Sequence, residues 1–567
     1  MPRDTLLDFF QDFAGIDAEF LIYDDGFHAR HFRYRELAER ARAFAARLRG
    51  QGIGRDDKVI LYGENRPEWI LADLAVMAAG GITVPVYTTH TVEDYRYVLA
   101  NCGAKLVIVS TAQLAKRVLP AAAQVPGPPK VILIEPPEEG LASHVELRSW
   151  HSVLELGQSS PGDVRDWIQE IKREDVACLI YTSGTGGMPK GVMTTHGNLL
   201  ANCASAHVLL MKVGLGHDVF LSFLPLSHSY EHMGGMMFPI SLGAQIYFAE
   251  GAETLAVNLT EARPTIMTAV PRLYEAFHQR ILRAVARESG LRQKLFFKAL
   301  ELGLKRYGDH RSLSLIERVE DAILDPLVRD KLRARFGGRL KAMVSGGAPL
   351  NPEIGRFFLA LGLRLLQGYG QTEASPLISV NPPDRIRIET VGPPVADVEV
   401  RLAPDGELLV RGPNVTKGYW NDAEATSRVF IGGWLHTGDV GVLDDAGYLR
   451  ITDRKKDLIV LSGGENVSPA KVEGMLMAEP EIAQAVVAGD GRAGLTALVV
   501  PADGYDDVAV ALAVNRTNHR LSVTERIRKH AIVPAFTVDN GLLTPTQKIR
   551  RMLVIRANAQ TLAALHG

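Results

Sequence analysis

Two rhythms of apolar and polar positions run along this chain. Leu37 to Leu48 is rich in Ala, Arg and Leu at helical spacing and predicts an amphipathic helix. Lys58-Val-Ile-Leu-Tyr62 is short and β-branched and predicts a strand; Trp69 to Ala79 predicts a buried helix; Lys105-Leu-Val-Ile-Val-Ser110 predicts another strand. The alternation continues to about Ala269 and argues for α/β layers. Residues 276–340 break it, being long, helical and charged with little strand signal. After Val391 the pattern becomes strand-rich, with turns at Pro404-Asp405-Gly406 and Asp445-Ala446-Gly447. The last ~110 residues are long enough for a small α/β domain of their own.

A length of 567 residues exceeds one ordinary domain and implies at least two. The formal net charge of -2 provides no general field for nucleic acid, so no nucleic-acid partner is expected. Cys102, Cys178 and Cys203 are few, odd in number and far apart. That disfavours a disulfide framework or a cysteine zinc site and fits a reducing, cytoplasmic setting. Met1 to Phe10 carries Arg3, Asp4 and Asp8 without a long apolar run, unlike a secretory signal. The most apolar long window, Trp69 to Val86, is interrupted by Asp73 and Gly80-Gly81 and falls short of a membrane span. Residues 276–340 hold 15 Lys or Arg against 8 Asp or Glu, a net of +7. That excess suits either peripheral contact with a membrane surface or a solvated helical face.

Two motifs mislead. Gly489-Asp-Gly-Arg-Ala-Gly494 spells a dinucleotide fingerprint, but strand-like runs flank it on both sides, so it predicts a hairpin turn. His228-Ser-Tyr-Glu-His232 spells a zinc-protease pattern, yet Gly234-Gly235 truncates any helix and no third ligand is evident.

The strongest local signal is Tyr181-Thr-Ser-Gly-Thr-Gly-Gly-Met-Pro-Lys-Gly191, a loop leaving the apolar run Ala177-Cys-Leu-Ile180. Its glycines allow sharp turns and close approach to a ligand. Hydroxyls of Thr182, Ser183 and Thr185, with backbone N–H groups, suit phosphate oxygens, and Lys190 adds a point charge. The spacing is not that of a Walker loop. Further motifs follow in order: Gln367-Gly-Tyr-Gly-Gln-Thr-Glu373, Trp434-Leu-His-Thr-Gly-Asp439 with its carboxylate in a loop, Ile451-Thr-Asp-Arg-Lys-Lys-Asp-Leu-Ile459, Ser462-Gly-Gly-Glu-Asn-Val-Ser-Pro469 and Leu543-Thr-Pro-Thr-Gln-Lys-Ile-Arg550.

Together these stretches resemble the adenylate-forming superfamily: acyl-CoA synthetases, firefly luciferase and the adenylation domains of peptide synthetases. The resemblance runs from the helix near Arg35 to Arg551. It implies a large N-terminal α/β domain of layered sheets and helices, residues 1–452, and a small mobile C-terminal α/β lid, residues 453–567, hinged at Asp453. It implies ATP and coenzyme A as co-substrates and Mg²⁺ as cofactor. Thr182, Ser183, Gly184, Thr185, Gly186 and Lys190 would hold the β- and γ-phosphates. Gln367, Gly368, Tyr369 and Gly370 would border the nucleotide, with Tyr369 stacked on adenine. Gly346, Gly347 and Ala348 would line the adenine and acyl site, which His228 and Tyr230 complete. Thr372 would contact the α-phosphate, Glu373 would bind Mg²⁺, and Asp439 and Arg454 would take the ribose hydroxyls. Lys548 would sit between the substrate carboxylate and the α-phosphate, and Gly463 and Gly464 would face the CoA tunnel. One departure stands out: Gly186 occupies a position where the family usually has Thr.

Phe223-Leu-Pro-Leu-Ser-His-Ser-Tyr230 lacks the early aspartate by which amino-acid-activating relatives grip an amine. Leu224-Pro-Leu-Ser-His228 with Tyr230-Glu231, Val270-Pro-Arg-Leu-Tyr-Glu275 and the helical segment 276–340 most resemble long-chain fatty acid–CoA ligases. The alternatives are a fatty acyl-AMP ligase that loads a carrier protein, a CoA ligase for a medium-chain or aryl acid, and a nucleotide-binding regulator without catalysis. The resemblance leaves a homodimer open.

Overall fold

A computed structural model describes residues 4–8, 19–24, 29–136, 145–155, 164–182, 188–251, 253–308, 313–544 and 548–566. The chain divides into two compact units: residues 1–182, 190–399 and 410–435 form the first; 183–189, 400–409 and 436–567 form the second.

The first unit contains a seven-stranded sheet in the order Leu147–Ser149, Lys130–Leu133, Leu106–Val109, Lys58–Tyr62, Ile82–Val86, Val176–Thr182, Lys190–Thr195. Its strands are parallel except the last, which returns antiparallel to Val176–Thr182. Both faces are covered, which is why these strands read as unbroken apolar runs. The expected elements are present: helices Tyr34–Gly50 and Pro67–Ala78, strands Lys58–Tyr62 and Leu106–Val109. Pro67 starts the second helix where a missing N–H is harmless, and all but one of its residues are buried.

An eight-stranded sheet follows the order Leu377–Val380, Leu365–Gly370, Ala342–Ser345, Ile266–Ala269, Val219–Ser222, Gln245–Phe248, Glu19–Asp24, Ala29–Arg33. The inner strands are parallel, so the carboxyl ends of four neighbours open onto the same edge. The segments leaving those ends are 223–230, 270–275, 346–348 and 371–373, which contain much of the expected site.

Segment 276–340 is helical as expected: Pro271–Ala286, Gly290–Gly308, Leu315–Leu324 and Asp330–Arg335, with a wide turn at Asp325–Arg329. Gly303 lets the second helix approach Pro352–Ala360; a Cβ there would lie 2.1 Å from the Ala360 carbonyl oxygen. Arg329 is fully buried in the segment and donates to the carbonyls of Ala299 and Ala360 and to the Asp321 carboxylate. A buried guanidinium must be matched this completely, and the match pins three helices together.

In the second unit, strand Trp434–Leu443 pairs antiparallel with Leu449–Arg454. A three-stranded sheet carries Ile482–Ala488 antiparallel to Leu495–Pro501 and Ile527–Ile532 parallel to the latter. Helices Pro469–Met477, Asp507–Arg520, Arg551–Ala557 and Ala559–His566 flank it. Gly489 to Gly494 forms the hairpin turn between its first two strands, with Gly491 at φ +66°, not a cofactor loop. Glu473, buried, is matched by Arg551 and the Val487 N–H. Among the described residues no helix is long and apolar enough to cross a membrane.

Candidate functional site

In the first unit strand Val176–Thr182 and its return Lys190–Thr195 pair Tyr181 with Gly191 and Thr182 with Lys190. Ser183, Gly184, Thr185 and Gly186, including the departure at 186, lie outside the described residues. Gly191 fits closely under Tyr181: a Cβ there would stand 3.0 Å from the ring. The return strand is extended by residues 417–420: Met193 N–H donates to the Gly418 carbonyl and Trp420 N–H to the Gly191 carbonyl. This pairing brings Tyr419 beside Lys190, whose ammonium sits 4.9 Å from the ring centroid. The Tyr419 hydroxyl donates to Glu373 Oε1 at 2.8 Å. Burial and the adjacent carboxylate push the phenol well above its usual range, so it stays a donor. Lys190, Tyr419 and Glu373 thus form one line of contacts.

Glu373 stands on a short turn, Thr372–Ala374, after strand Leu365–Gly370. Asn202 braces that turn by donating to the Ala374 carbonyl and accepting from the Leu377 N–H. Thr372 shares a 3.0 Å hydroxyl–hydroxyl bond with Ser229. Gly370 cannot carry a side chain, since a Cβ would lie 2.0 Å from the Pro376 carbonyl oxygen. Gln367 is buried in the strand; Gly368, Tyr369 and Gly370 are half-buried at its end. Across the same edge Tyr230 packs on Gly346, where a Cβ would meet the ring at 3.2 Å, and its hydroxyl donates to the Val344 carbonyl. Gly347 turns in the left-handed region, φ +81°, and leaves Ala348 exposed.

The zinc-like motif is engaged otherwise. His228 Nδ1 accepts from the Tyr230 N–H and caps a helical run, Ser229–Glu231, His232–Met237 and Phe238–Leu242, that passes through Gly234-Gly235, so these glycines do not truncate the helix as expected. The buried Glu231 carboxylate takes the Ser222 and Thr268 hydroxyls at 2.7 and 2.9 Å, and burial raises its pKa to about 7. His232 faces Asp73 at 3.3 Å.

The donor set also bears on Mg²⁺. No cluster of three His, Cys, Asp or Glu exists among the described residues. Mg²⁺ does not need one, because it is commonly held by one or two carboxylates together with substrate phosphates. Glu373, with Oε1 held by Tyr419, leaves Oε2 for such a cation. The residues therefore fit a metal that arrives with a nucleotide.

In the second unit Asp439 and Arg454 face each other in register, Nε to Oδ1 3.2 Å. Asp439 lies in strand Trp434–Leu443, not in a loop as expected. Gly438, at φ +70°, lies inside the strand, immediately before the paired Asp439. Asp453 pairs with Val440, is buried, and accepts from the Arg454 N–H. Burial raises its pKa. Gly463 and Gly464 are exposed in a turn closed by Gly464 N–H to the Leu461 carbonyl. Lys548 is exposed on a loop tied at its base: its N–H donates to Thr544 Oγ1 and its carbonyl accepts from the Thr544 N–H. Pro545, Thr546 and Gln547 lie outside the described residues.

Sequence reasoning missed Tyr419, Ser229 and Glu231 as parts of the site. Lys417-Gly-Tyr-Trp420 carried a signal, an aromatic pair beside a glycine, but its contact with Glu373 spans 46 positions. Glu231 was visible in the misleading zinc pattern and beside Tyr230 in the stretch that resembles long-chain ligases, with nothing to mark its role.

Comparison with known proteins adds a second line. The model of the family described as AMP-binding enzyme matches residues 12–420, and that of the AMP-binding enzyme C-terminal domain matches 456–566. The chain is 34% identical to the long-chain-fatty-acid–CoA ligase FadD15 of Mycobacterium bovis, over 94% of this chain and 92% of that one. It is 32% identical to the peroxisomal long chain acyl-CoA synthetase 7 of Arabidopsis thaliana, over 91% and 79%. In fold it matches a crystal structure of the anthranilate CoA ligase AuaEII in complex with anthranoyl-AMP, with a TM-score of 0.75, 23% identity, and 100% and 99% of the two chains covered.

Proposed function

The chain belongs to the AMP-binding enzyme family, and from that premise we propose that it is a long-chain fatty acid–CoA ligase. ATP and a fatty acid give acyl-AMP and pyrophosphate; acyl-AMP and coenzyme A then give acyl-CoA and AMP. The observation that carries the reading is the line Lys190–Tyr419–Glu373, with Thr372 beside it, at the carboxyl ends of parallel strands. It combines a cation, a fixed carboxylate and a hydroxyl, which is what a polyphosphate with a divalent cation requires. The fatty acid is favoured by the names of the relatives and by the acid-free stretch Phe223 to Tyr230.

In this reading Lys190 and the loop from Thr182 bind the β- and γ-phosphates, and Thr372, oriented by Ser229, donates to the α-phosphate. Glu373 holds Mg²⁺, which when bound offsets the repulsion between the anionic substrates. Tyr369 stacks on adenine, and Gly346, Gly347 and Ala348 leave room for adenine and the acyl chain beside His228 and Tyr230. Asp439, kept in place by Arg454, accepts from a ribose hydroxyl. Lys548 draws the carboxylate and the α-phosphate together. Residues 453–567 act as the lid, with Asp453 as pivot where the paired strand gives way to the turn at 455–458. Rotation withdraws Lys548 and turns Gly463 and Gly464 toward pantetheine. The enzyme works in the cytoplasm, touches bilayers through 276–340, and is a monomer or a homodimer, which sedimentation velocity distinguishes.

Pyrophosphate release across a panel of acids, with and without coenzyme A, tests the reading. Palmitate should release pyrophosphate and, with CoA, yield palmitoyl-CoA. Release that reaches product only with a carrier protein would instead mean an acyl-AMP ligase. A preference for aryl or medium-chain acids would move the substrate class, and no release with any acid would leave a nucleotide-binding regulator.

A further inference from the structure

Helix Leu315–Leu324 is amphipathic the wrong way round for a solvated helix. Its acidic residues Glu317, Glu320 and Asp321 pair with Lys305, Lys298, and Arg306 with Arg329, while its one cation, Arg318, is exposed and donates to the Leu313 carbonyl. Its outward face is apolar: Leu315, Ile316, Val319 and Ile323 are 79, 74, 61 and 55% exposed, and Leu327 continues the stripe into the next turn. Spacings of three and four keep these residues on one side. Soluble proteins rarely leave such a stripe in water unless something covers it. The helix cannot roll to hide it, because buried Arg329 fastens Asp321 to Ala299 and Ala360.

Charge identifies the cover. Every described acid of 276–340 is already paired with a cation of the same segment: Glu288, Glu301, Glu317, Glu320, Asp321, Asp325 and Asp330. The net excess therefore resides on other cations, and Lys331 and Arg335 stand exposed one and two turns beyond Leu327. A second copy of this chain would bring like charges together across a twofold axis. A bilayer containing anionic lipid satisfies both features, with acyl tails for the stripe and headgroups for the cations.

We propose that the outward face of residues 315–335 is a membrane-docking element that seats its apolar stripe at the headgroup–acyl boundary of an anionic bilayer. This sharpens the bilayer contact of the reading above and rests on that reading only for its purpose, access to a membrane-dissolved acid. Docking is rigid, since the element is fastened to the first unit through Arg329.

The test is flotation of the full-length chain with phosphatidylcholine vesicles, with and without phosphatidylglycerol. The wild type should float with the anionic vesicles and be partly released by salt, which screens the cations but not the stripe. Ile316→Asp with Ile323→Asp should weaken vesicle affinity about tenfold or more, each substitution removing buried apolar groups. Lys331→Glu with Arg335→Glu should abolish the preference for phosphatidylglycerol. Ile323→Trp gives an independent readout: its emission should shift to the blue on vesicles. Binding by the Asp variant equal to wild type, or an unshifted tryptophan, overturns the proposal. So does a dimer in solution that the Asp variant splits. Pyrophosphate release with detergent-dispersed acid should be unchanged in all these variants. A wild type that floats but activates no acid would defeat the ligase reading and leave the docking face standing.

Discussion

Glu373 in the first unit and Lys548 in the second are held in different ways. In the first, side chains hold side chains: Tyr419 holds Glu373 and faces Lys190, Ser229 holds Thr372, and Asn202 braces the turn beneath. In the second, Lys548 is held through its backbone, in a loop closed on Thr544, while its side chain is exposed. The first arrangement suits a site preorganised for one charge distribution, where donors need not reorient during reaction. The second suits a group that must serve one step and leave for the next. Substitutions in the two units should therefore fail differently.

The largest expected effect belongs to Lys548→Ala. Losing a cation that neutralises two anionic partners should lower the ATP-dependent half-reaction by about a hundredfold to a thousandfold. Conversion of supplied acyl-adenylate and CoA should stay within a few-fold of wild type, because the mixed anhydride is already activated. Separate assays of each half-reaction on one preparation decide it. Equal collapse of both steps would make the lysine structural and erase the contrast between the units.

Glu373→Gln should come next, lowering adenylation about a hundredfold by removing the carboxylate charge while keeping its shape. Tyr419→Phe keeps the ring beside Lys190 and removes only the hydrogen bond to Glu373. A hydrogen bond to a charged group contributes about 1.5–3 kcal/mol. The variant should therefore lose about tenfold to a hundredfold at limiting Mg²⁺, recover as Mg²⁺ is raised, and melt near the wild-type temperature. Tyr419→Leu should also raise the KM for ATP, since Lys190 then loses its aromatic face. A Phe variant whose deficit ignores Mg²⁺ would place Tyr419 in packing alone.

These contrasts also explain what was legible in the sequence. Strands such as Lys58–Tyr62 and helices such as Pro67–Ala78 were readable because burial on both faces leaves unbroken apolar runs. Glu373, Asp439 and Lys548 stand out as candidates because each lies in a compact motif. Tyr419 and Ser229 were not, because their contacts with residues 373 and 372 cross 46 and 143 positions and exist only once the strands assemble. Asp439 reads as a loop residue in the sequence, whereas the strand Trp434–Leu443 runs through Gly438, which takes φ +70°. The outward stripe on 315–327 was hidden for a related reason. Counting charge along 276–340 finds the excess, but only the fold shows that the acids face inward and the apolar residues outward.

The smallest expected effect tests whether preorganisation in the first unit extends to Glu231. Its carboxyl bridges Ser222 and Thr268, which lie on neighbouring strands, and its chain neighbours Ser229 and Tyr230 touch Thr372 and Val344. Burial raises its pKa from 4.5 to about 7. The folded state then binds more protons than the unfolded state between those values, so this residue's contribution to stability falls as pH rises from about 4.5 to 7 and is level above. Glu231→Gln cannot ionise. Relative to wild type it should gain stability across that window, by about 1–3 kcal/mol, as a rise of a few degrees in relative Tm between pH 5 and pH 8. Adenylation should also lose whatever pH dependence Glu231 imposes through Ser229 and Thr372. A wild-type-to-variant Tm difference that stays constant from pH 5 to pH 8 would mean that Ser222 and Thr268 keep the carboxylate ionised throughout. Glu231 would then be a fixed charge in the brace, and the order of the first unit would rest on Tyr419 and Asn202 instead.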